Sequence, residues 1–316
     1  MAPYLDPVNQ AFVDAGAKAG APPLQELQYD EARAVLEGLQ QHDPSRDVLR
    51  EELDVPAGAG GTVKTVLFKP ANADAAVPLA FYFHGGGWIL GSPGTHDSLV
   101  SDLVREAGCA VAFPYYTPAP EAQYPQQFDE AYAVVEYYVK NGTKHGLKTD
   151  KIAFAGDSAG GHMAVAMSTL SAQRNLPATV SYQVLFYPVA NVLKESDTYD
   201  TFHDGPYLSA PLLRWMKDAF IPKNDDRLSI LASPVLMDKE QAAAQPPTLI
   251  ITAAVDPLLR EGKEFGHLLQ QAGVDVAIFE ADGQVHDFAM LEPVRKSATA
   301  VASVELAALR IKKALS

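Results

Sequence analysis

Three residues able to carry acyl transfer between them, a serine, an acid and a histidine, follow apolar strand-like runs in the order Ser158, Asp256, His286. The serine lies in Gly156-Asp157-Ser158-Ala159-Gly160, a G-x-S-x-G pattern between the apolar run Ile152 to Ala155 and a helix of small residues. Glycines on both sides allow the chain to turn sharply and hold Ser158 in a strained conformation, with its hydroxyl projecting from a sheet edge. A serine hydroxyl is a weak nucleophile and needs a neutral imidazole to take its proton, and the imidazole needs a carboxylate to orient it. Asp256 follows Thr248 to Ala253 and His286 follows Val274 to Glu280, so both leave parallel strands at the edge that carries Ser158. Competing carboxylates are Glu261, placed in the next helix, Asp282, and Asp287, which adjoins the histidine and is expected to point elsewhere.

Negative charge that develops on a carbonyl oxygen needs fixed donors, and losing one costs about 3 kcal/mol of barrier stabilisation. Phe81-Tyr82-Phe83-His84-Gly85-Gly86-Gly87-Trp88 follows a strand with three glycines whose amides can approach an oxygen closely, so Gly86, Gly87 and Ala159 are the expected oxyanion donors. His84 is expected to shape that loop and not to react. His42, His145 and His267 read as solvated; His96, His162 and His203 lie nearer the expected cleft without the loop placement of His286. No His-x-x-x-His or Cys-x-x-Cys spacing occurs, and the chemistry calls for neither a metal nor another cofactor. Cys109, the only cysteine, sits in an apolar run and reads as a buried thiol. Trp88, Tyr187, Tyr207, Leu208, Trp215, Phe288 and Leu291 are the candidate apolar walls of a substrate cleft.

These residues require a scaffold that brings strand ends together. From Leu79 onward, short β-rich runs alternate with helical segments at His96 to Glu106, Gln126 to Lys140, Gly160 to Arg174, Gly262 to Gln271 and Ser297 to Leu315. The remaining strand runs are Leu79 to Phe83, Cys109 to Tyr115 and Val180 to Tyr187, and continuous apolar runs imply burial on both faces of a mostly parallel sheet. Val55 to Gly61 reads as a hairpin turn before Thr62 to Phe68. Two stretches break the alternation. Residues 1–50, with helices around Val8 to Gly16 and Asp30 to Gln40, and residues 191–245 read as a cap over a core formed by residues 51–190 and 246–316.

A net charge of −14 over 316 residues removes the basic attraction that nucleic acid or anionic lipid would require. No run approaches the ~18 apolar residues of a membrane span, and the N-terminus lacks a signal-peptide pattern, so a cytoplasmic protein without a membrane partner is expected.

On His84 to Trp88, Tyr116 to Pro125, Gly156 to Gly161, Ser233-Pro234, Asp256-Pro257-Leu258 and His286, nearly the whole chain resembles the hormone-sensitive-lipase-like family of α/β-hydrolases. The resemblance implies an eight-stranded sheet, an α-helical cap and carboxylesterase activity on short acyl chains of roughly two to six carbons. The family commonly has Arg-Asp-Glu-Gly where this chain has Leu259-Arg260-Glu261-Gly262, His-Gly-Phe where it has His286-Asp287-Phe288, and Tyr-Arg-Leu where it has Tyr116-Thr117-Pro118.

The expected function is ester hydrolysis of a small molecule through an acyl-enzyme, with activity falling as pH drops through the ordinary imidazole range of about 6 to 7. The alternatives are a catalytically silent ligand-binding scaffold, an amidase or a dehydratase on the same fold. A homodimer through the edge run Val274 to Glu280 is a further expectation.

Overall fold

A computed structural model describes residues 3–57, 61–73 and 75–316. The chain begins with α1 (Pro7–Ala19) and α2 (Tyr29–Leu39), then forms the strands β1 (Val48–Ala57), β2 (Gly61–Pro70) and β3 (Val77–Phe83). Alternation follows through α3 (Asp97–Ala107), β4 (Ala110–Tyr115), α4 (Gln126–Asn141), β5 (Leu147–Asp157), α5 (Ala159–Gln173) and β6 (Thr179–Phe186). The next segment carries α6 (Asp197–Thr201), α7 (Ala210–Phe220) and α8 (Lys239–Ala243), before β7 (Thr248–Val255), α9 (Leu259–Gln271), β8 (Val276–Val285) and α10 (Ala298–Leu315) complete the fold.

The eight strands form one sheet in the order β1-β2-β4-β3-β5-β6-β7-β8. β2 pairs antiparallel with β1 and with β4, and all pairs from β4 to β8 are parallel. α3 packs on α10 and α4 on α5, so that helices flank the sheet and its central strands are buried on both faces. In β3, Leu79 to Phe83 are all buried, as the unbroken apolar run requires. α5 is buried along almost its whole length, which its Ala, Gly and Met residues permit by keeping the helix thin against β5 and β6. Among the described residues no helix is long and apolar enough to cross a membrane.

The hairpin expected over Val55 to Gly61 is tighter than its composition suggests. Val55, Pro56 and Ala57 remain in β1, paired with Val63, Thr62 and Gly61, because Val55 is fully buried and continues the inward-facing register. The remainder of that expected turn, residues 58–60, lies outside the described residues.

The N-terminal helices meet the 191–245 segment. Tyr29 stacks on Trp215 with centroids 4.9 Å apart, and Phe12 lies 5.7 Å from Tyr207. Arg33 of α2 donates to the Ile89 and Ala119 carbonyls at 3.0 Å each, which ties α2 to the loop after the glycine run.

Candidate active site

The sheet register determines which loops meet. Phe83 pairs with Gly156, Asp157 with Phe186, and Val255 with Val285. One residue beyond those pairs, the chain reaches the glycine loop, Ser158, Asp256 and His286, all at the C-terminal edge of the sheet. The loop and the three side chains are therefore neighbours because the strands below them are in register.

Ser158 has φ 53° and ψ −119°, a strained conformation for a residue with a side chain. Backbone bonds on both sides hold it there: its amide donates to the Phe186 carbonyl at 2.9 Å, and its own carbonyl accepts from Val189 at 3.1 Å and His162 at 3.2 Å. A Cβ at position 160 would collide with the Phe83 carbonyl, so the turn closes only around glycine.

His286 joins the serine to the acid. Its Nε2 lies 2.9 Å from Ser158 Oγ and its Nδ1 2.6 Å from Asp256 Oδ2. With Asp256 ionised, Nδ1–H donates to the carboxylate and Nε2 is left to accept from the serine hydroxyl. The other Asp256 oxygen accepts from the Leu258 amide at 2.8 Å, so this fully buried carboxylate is anchored at both ends.

The competing acids are disposed differently. Glu261 is buried in α9, where Oε1 accepts from the Ala190 and Asn191 amides at 2.8 and 3.0 Å and so fixes the chain after β6. Asp282 is exposed. Asp287, however, does not point away from the histidine as its sequence position suggests: its Oδ1 lies 3.3 Å from His286 Nε2. The reason is its backbone, which at φ 65° is left-handed and turns the side chain back over the ring.

Burial disfavours the imidazolium, but the carboxylates of Asp256 and then Asp287 outweigh it and raise the His286 pKa above the ordinary imidazole range. With that shift, the neutral base is expected to be lost at a higher pH than the unperturbed range of about 6 to 7.

Gly86 and Gly87 take φ values of 87° and 60°, open to glycine and strained for other residues. Ala159 opens α5, where first-turn amides have no intrahelical partner, so its N–H is free to donate. Asp157, inside the serine motif, braces the glycine loop: Oδ1 accepts from the Gly85 amide at 3.0 Å and from the Tyr82 hydroxyl at 2.6 Å. Burial opposes its ionisation, but His96 and the Tyr82 hydroxyl hold it below the usual carboxylate range.

His84 is buried in an aromatic stack, 4.2 Å from Tyr116 and nearly parallel to it, and burial together with His96 lowers its pKa to about 3. It is neutral packing material under the loop. His162 is buried beside Trp88 and Phe128, while His203 is exposed against Asp204. His42 and His145 are half-buried and not freely solvated: His42 bonds the Gln40 carbonyl and approaches Asp97, and His145 meets the Tyr137 hydroxyl. Cys109 is buried, which pushes its thiol up to about 12.

The candidate cleft residues occupy distinct places. The Tyr187 ring lies 4.8 Å from His286 and 5.3 Å from Phe288, which together with Tyr207, bonded to Asp287 at 3.3 Å, puts these side chains against the histidine. Leu208 is buried next to Tyr207. Trp88 is buried and stacks 4.2 Å from Phe220, and Trp215 stacks on Tyr29. Met216 of α7 was not singled out in the sequence, yet a Cβ at Gly87 would run into its side chain, so it sits on the oxyanion loop. The signal for Met216 was the apolar face of α7; nothing local indicated which loop that face would meet.

The sequence model of the α/β-hydrolase fold family matches residues 80–290. An esterase of Gibberella moniliformis is 43% identical over 311 residues, covering 98% of this chain and 97% of that protein. An ethyl acetate hydrolase of Pseudomonas putida is 32% identical over 284 residues, covering 88% of each chain. The crystal structure of a thermostable esterase from Pseudomonas putida superposes with a TM-score of 0.96 at 33% identity, over 100% of this chain and 99% of that one. The chain therefore belongs to the hormone-sensitive-lipase-like family of α/β-hydrolases and is a carboxylic ester hydrolase.

Proposed function

We propose that the chain hydrolyses short-chain acyl esters through an acyl-enzyme on Ser158, with His286 as general base and Asp256 as its orienting acid. The observation that carries this reading is the continuous Ser158–His286–Asp256 hydrogen-bond relay, with both links under 3 Å and all three side chains nearly closed from solvent. His286 takes the hydroxyl proton as Ser158 Oγ attacks the ester carbonyl, and the amides of Gly86, Gly87 and Ala159 receive the oxyanion. Collapse expels the alcohol with the proton from Nε2, water repeats the attack on the acyl group, and Ser158 is released with the carboxylic acid. Asp256 stabilises the imidazolium at each stage.

Crowding at the glycine loop supports a short acyl preference: Met216 rests against Gly87, and Phe220 stacks on Trp88. The name of the Pseudomonas putida relative, with its two-carbon acyl group, agrees with this. In this reading the N-terminal helices and residues 191–245 act as the cap over the site. β8 ends the sheet with Phe279 partly exposed, and a homodimer through this edge is part of the proposal.

A p-nitrophenyl ester series from acetate to laurate, run with wild type beside Ser158→Ala, tests the reading. Rapid turnover of short esters that the variant loses supports it; an unaffected variant removes Ser158 from the chemistry, and a preference for laurate removes the short acyl site.

A further inference from the structure

The mechanism leaves the Asp287 carboxylate without a role, although its placement is costly. Its backbone lies in the left-handed region where the family pattern has glycine, and its side chain is an acid only 11% exposed. Oδ2 accepts from the Tyr207 hydroxyl at 3.3 Å. Oδ1 comes within 3.3 Å of His286 Nε2 but makes no hydrogen bond among the described residues. A strained, buried carboxyl group, whose pKa burial pushes up to about 6, thus keeps one oxygen free beside the nitrogen that moves the reacting proton.

We propose that Asp287 orients the deacylating water, accepting one of its O–H groups through Oδ1 while the other O–H faces His286 Nε2. This rests on the Ser158 acyl-enzyme reading. The two half-reactions differ in what they place next to Nε2. In acylation the leaving ester oxygen receives a proton from Nε2 and carries no second O–H. In deacylation the attacking water has two, and only one can go to the histidine. The ring packed on His286 is that of Tyr187, 4.8 Å away, and an aromatic ring is a far weaker acceptor for the second O–H than the carboxylate oxygen Asp287 Oδ1.

The step balances without a further reactant. The water oxygen forms a bond to the acyl carbon, its proton passes to Nε2, and the carbonyl electron pair moves to the oxygen held by the loop amides. Collapse breaks the bond from carbon to Ser158 Oγ, and Nε2 returns its proton to that oxygen. The second water proton, held by Asp287 until then, leaves with the carboxylic acid.

Stopped-flow hydrolysis of p-nitrophenyl acetate by the full chain, on the alkaline plateau of each variant, tests this with Asp287→Gly and Asp287→Asn. Both residues tolerate the left-handed backbone, so neither is expected to disturb the loop. For Asp287→Gly, kcat falls about ten- to hundredfold, the loss of one hydrogen bond to a charged acceptor, and KM falls with it. The ratio kcat/KM, which reports acylation, stays within about twofold of wild type, and a burst of p-nitrophenol matching the enzyme concentration precedes the slow phase. Asp287→Asn, which retains an acceptor oxygen, lies between the two. Parallel loss of kcat and kcat/KM without a burst makes Asp287 merely structural, and an unchanged kcat also overturns the proposal. Failure of the underlying reading is separate: it appears as turnover by Ser158→Ala.

Discussion

The serine elbow and the histidine loop face each other across one hydrogen bond, yet they are held by different means. The elbow is fixed by backbone: Ser158 is bonded through its own amide and carbonyl to Phe186, Val189 and His162, and Gly160 fits against the Phe83 carbonyl with no room for a Cβ. The histidine loop is fixed by side chains from distant parts of the sequence. Asn9 accepts from the Val285 amide at 3.1 Å and donates to Gln284 at 3.0 Å, and Gln40 donates to the Met290 carbonyl at 2.8 Å. Local backbone geometry tolerates almost no change, whereas a set of side-chain braces can be weakened by degrees. The nucleophile should therefore respond to substitution in an all-or-none way and the base in a graded one.

The largest contrast is expected at the two ends of that range. Gly160→Val forces a side chain into the Phe83 carbonyl and should abolish the folded elbow, seen as loss of soluble protein or of the cooperative thermal transition. Asp256→Asn leaves the fold intact but favours the wrong imidazole tautomer, and kcat/KM should fall about 10⁴-fold with little change in Tm. A loss under about tenfold would show that Asp256 does not orient His286.

Removing a brace should cost less. Asn9→Ala strips the partner from the buried Val285 amide and one of two donors from the Gln284 side-chain oxygen, a cost of about 1–3 kcal/mol in urea unfolding. Because the loop carries His286, which activates Ser158, activity and labelling of Ser158 by a reactive phosphonate should drop together and by degrees. Full activity and labelling in Asn9→Ala would show that the loop does not depend on this brace.

The smallest effect concerns pH. His286 faces Asp256 from the loop after β7, Asp287 from its own loop and Asp157 from the end of β5, and these carboxylates hold its pKa up against burial. A base of raised pKa loses its neutral form at a higher pH, so the acid limb of kcat/KM in wild type should lie above the ordinary imidazole range of about 6.5. Asp287→Asn removes one of the charges and should move that limb toward acid. An unmoved limb would show that Asp287 carries no charge near the ring in the active protein.

Most of the scaffold could be read from the chain because each β-strand from Leu79 onward is an apolar run bounded by a helix, and the parallel sheet then brings all strand ends to one edge. The same logic placed Ser158, Asp256 and His286 on neighbouring loops. It could not see Asn9 or Gln40, since a polar residue on or at the end of a half-exposed helix has the same local pattern whether it faces water or a loop 250 or 276 residues away. Met216 was hidden in the same way, as one apolar residue among several on α7. Asp287 was misread for a different reason. The aim of its side chain depends on a left-handed backbone, and the readable hint was the glycine that the family commonly places there, which marks a position where φ is positive.

A covalent acyl group on Ser158 is accessible to mass spectrometry of the protein quenched in acid during turnover of p-nitrophenyl acetate, with Asp287→Gly used to slow its loss. One acetyl group per chain is expected, mapped to the peptide containing Ser158 and missing from Ser158→Ala. Turnover without any acylated species, or an acetyl group mapped to another residue, would contradict it.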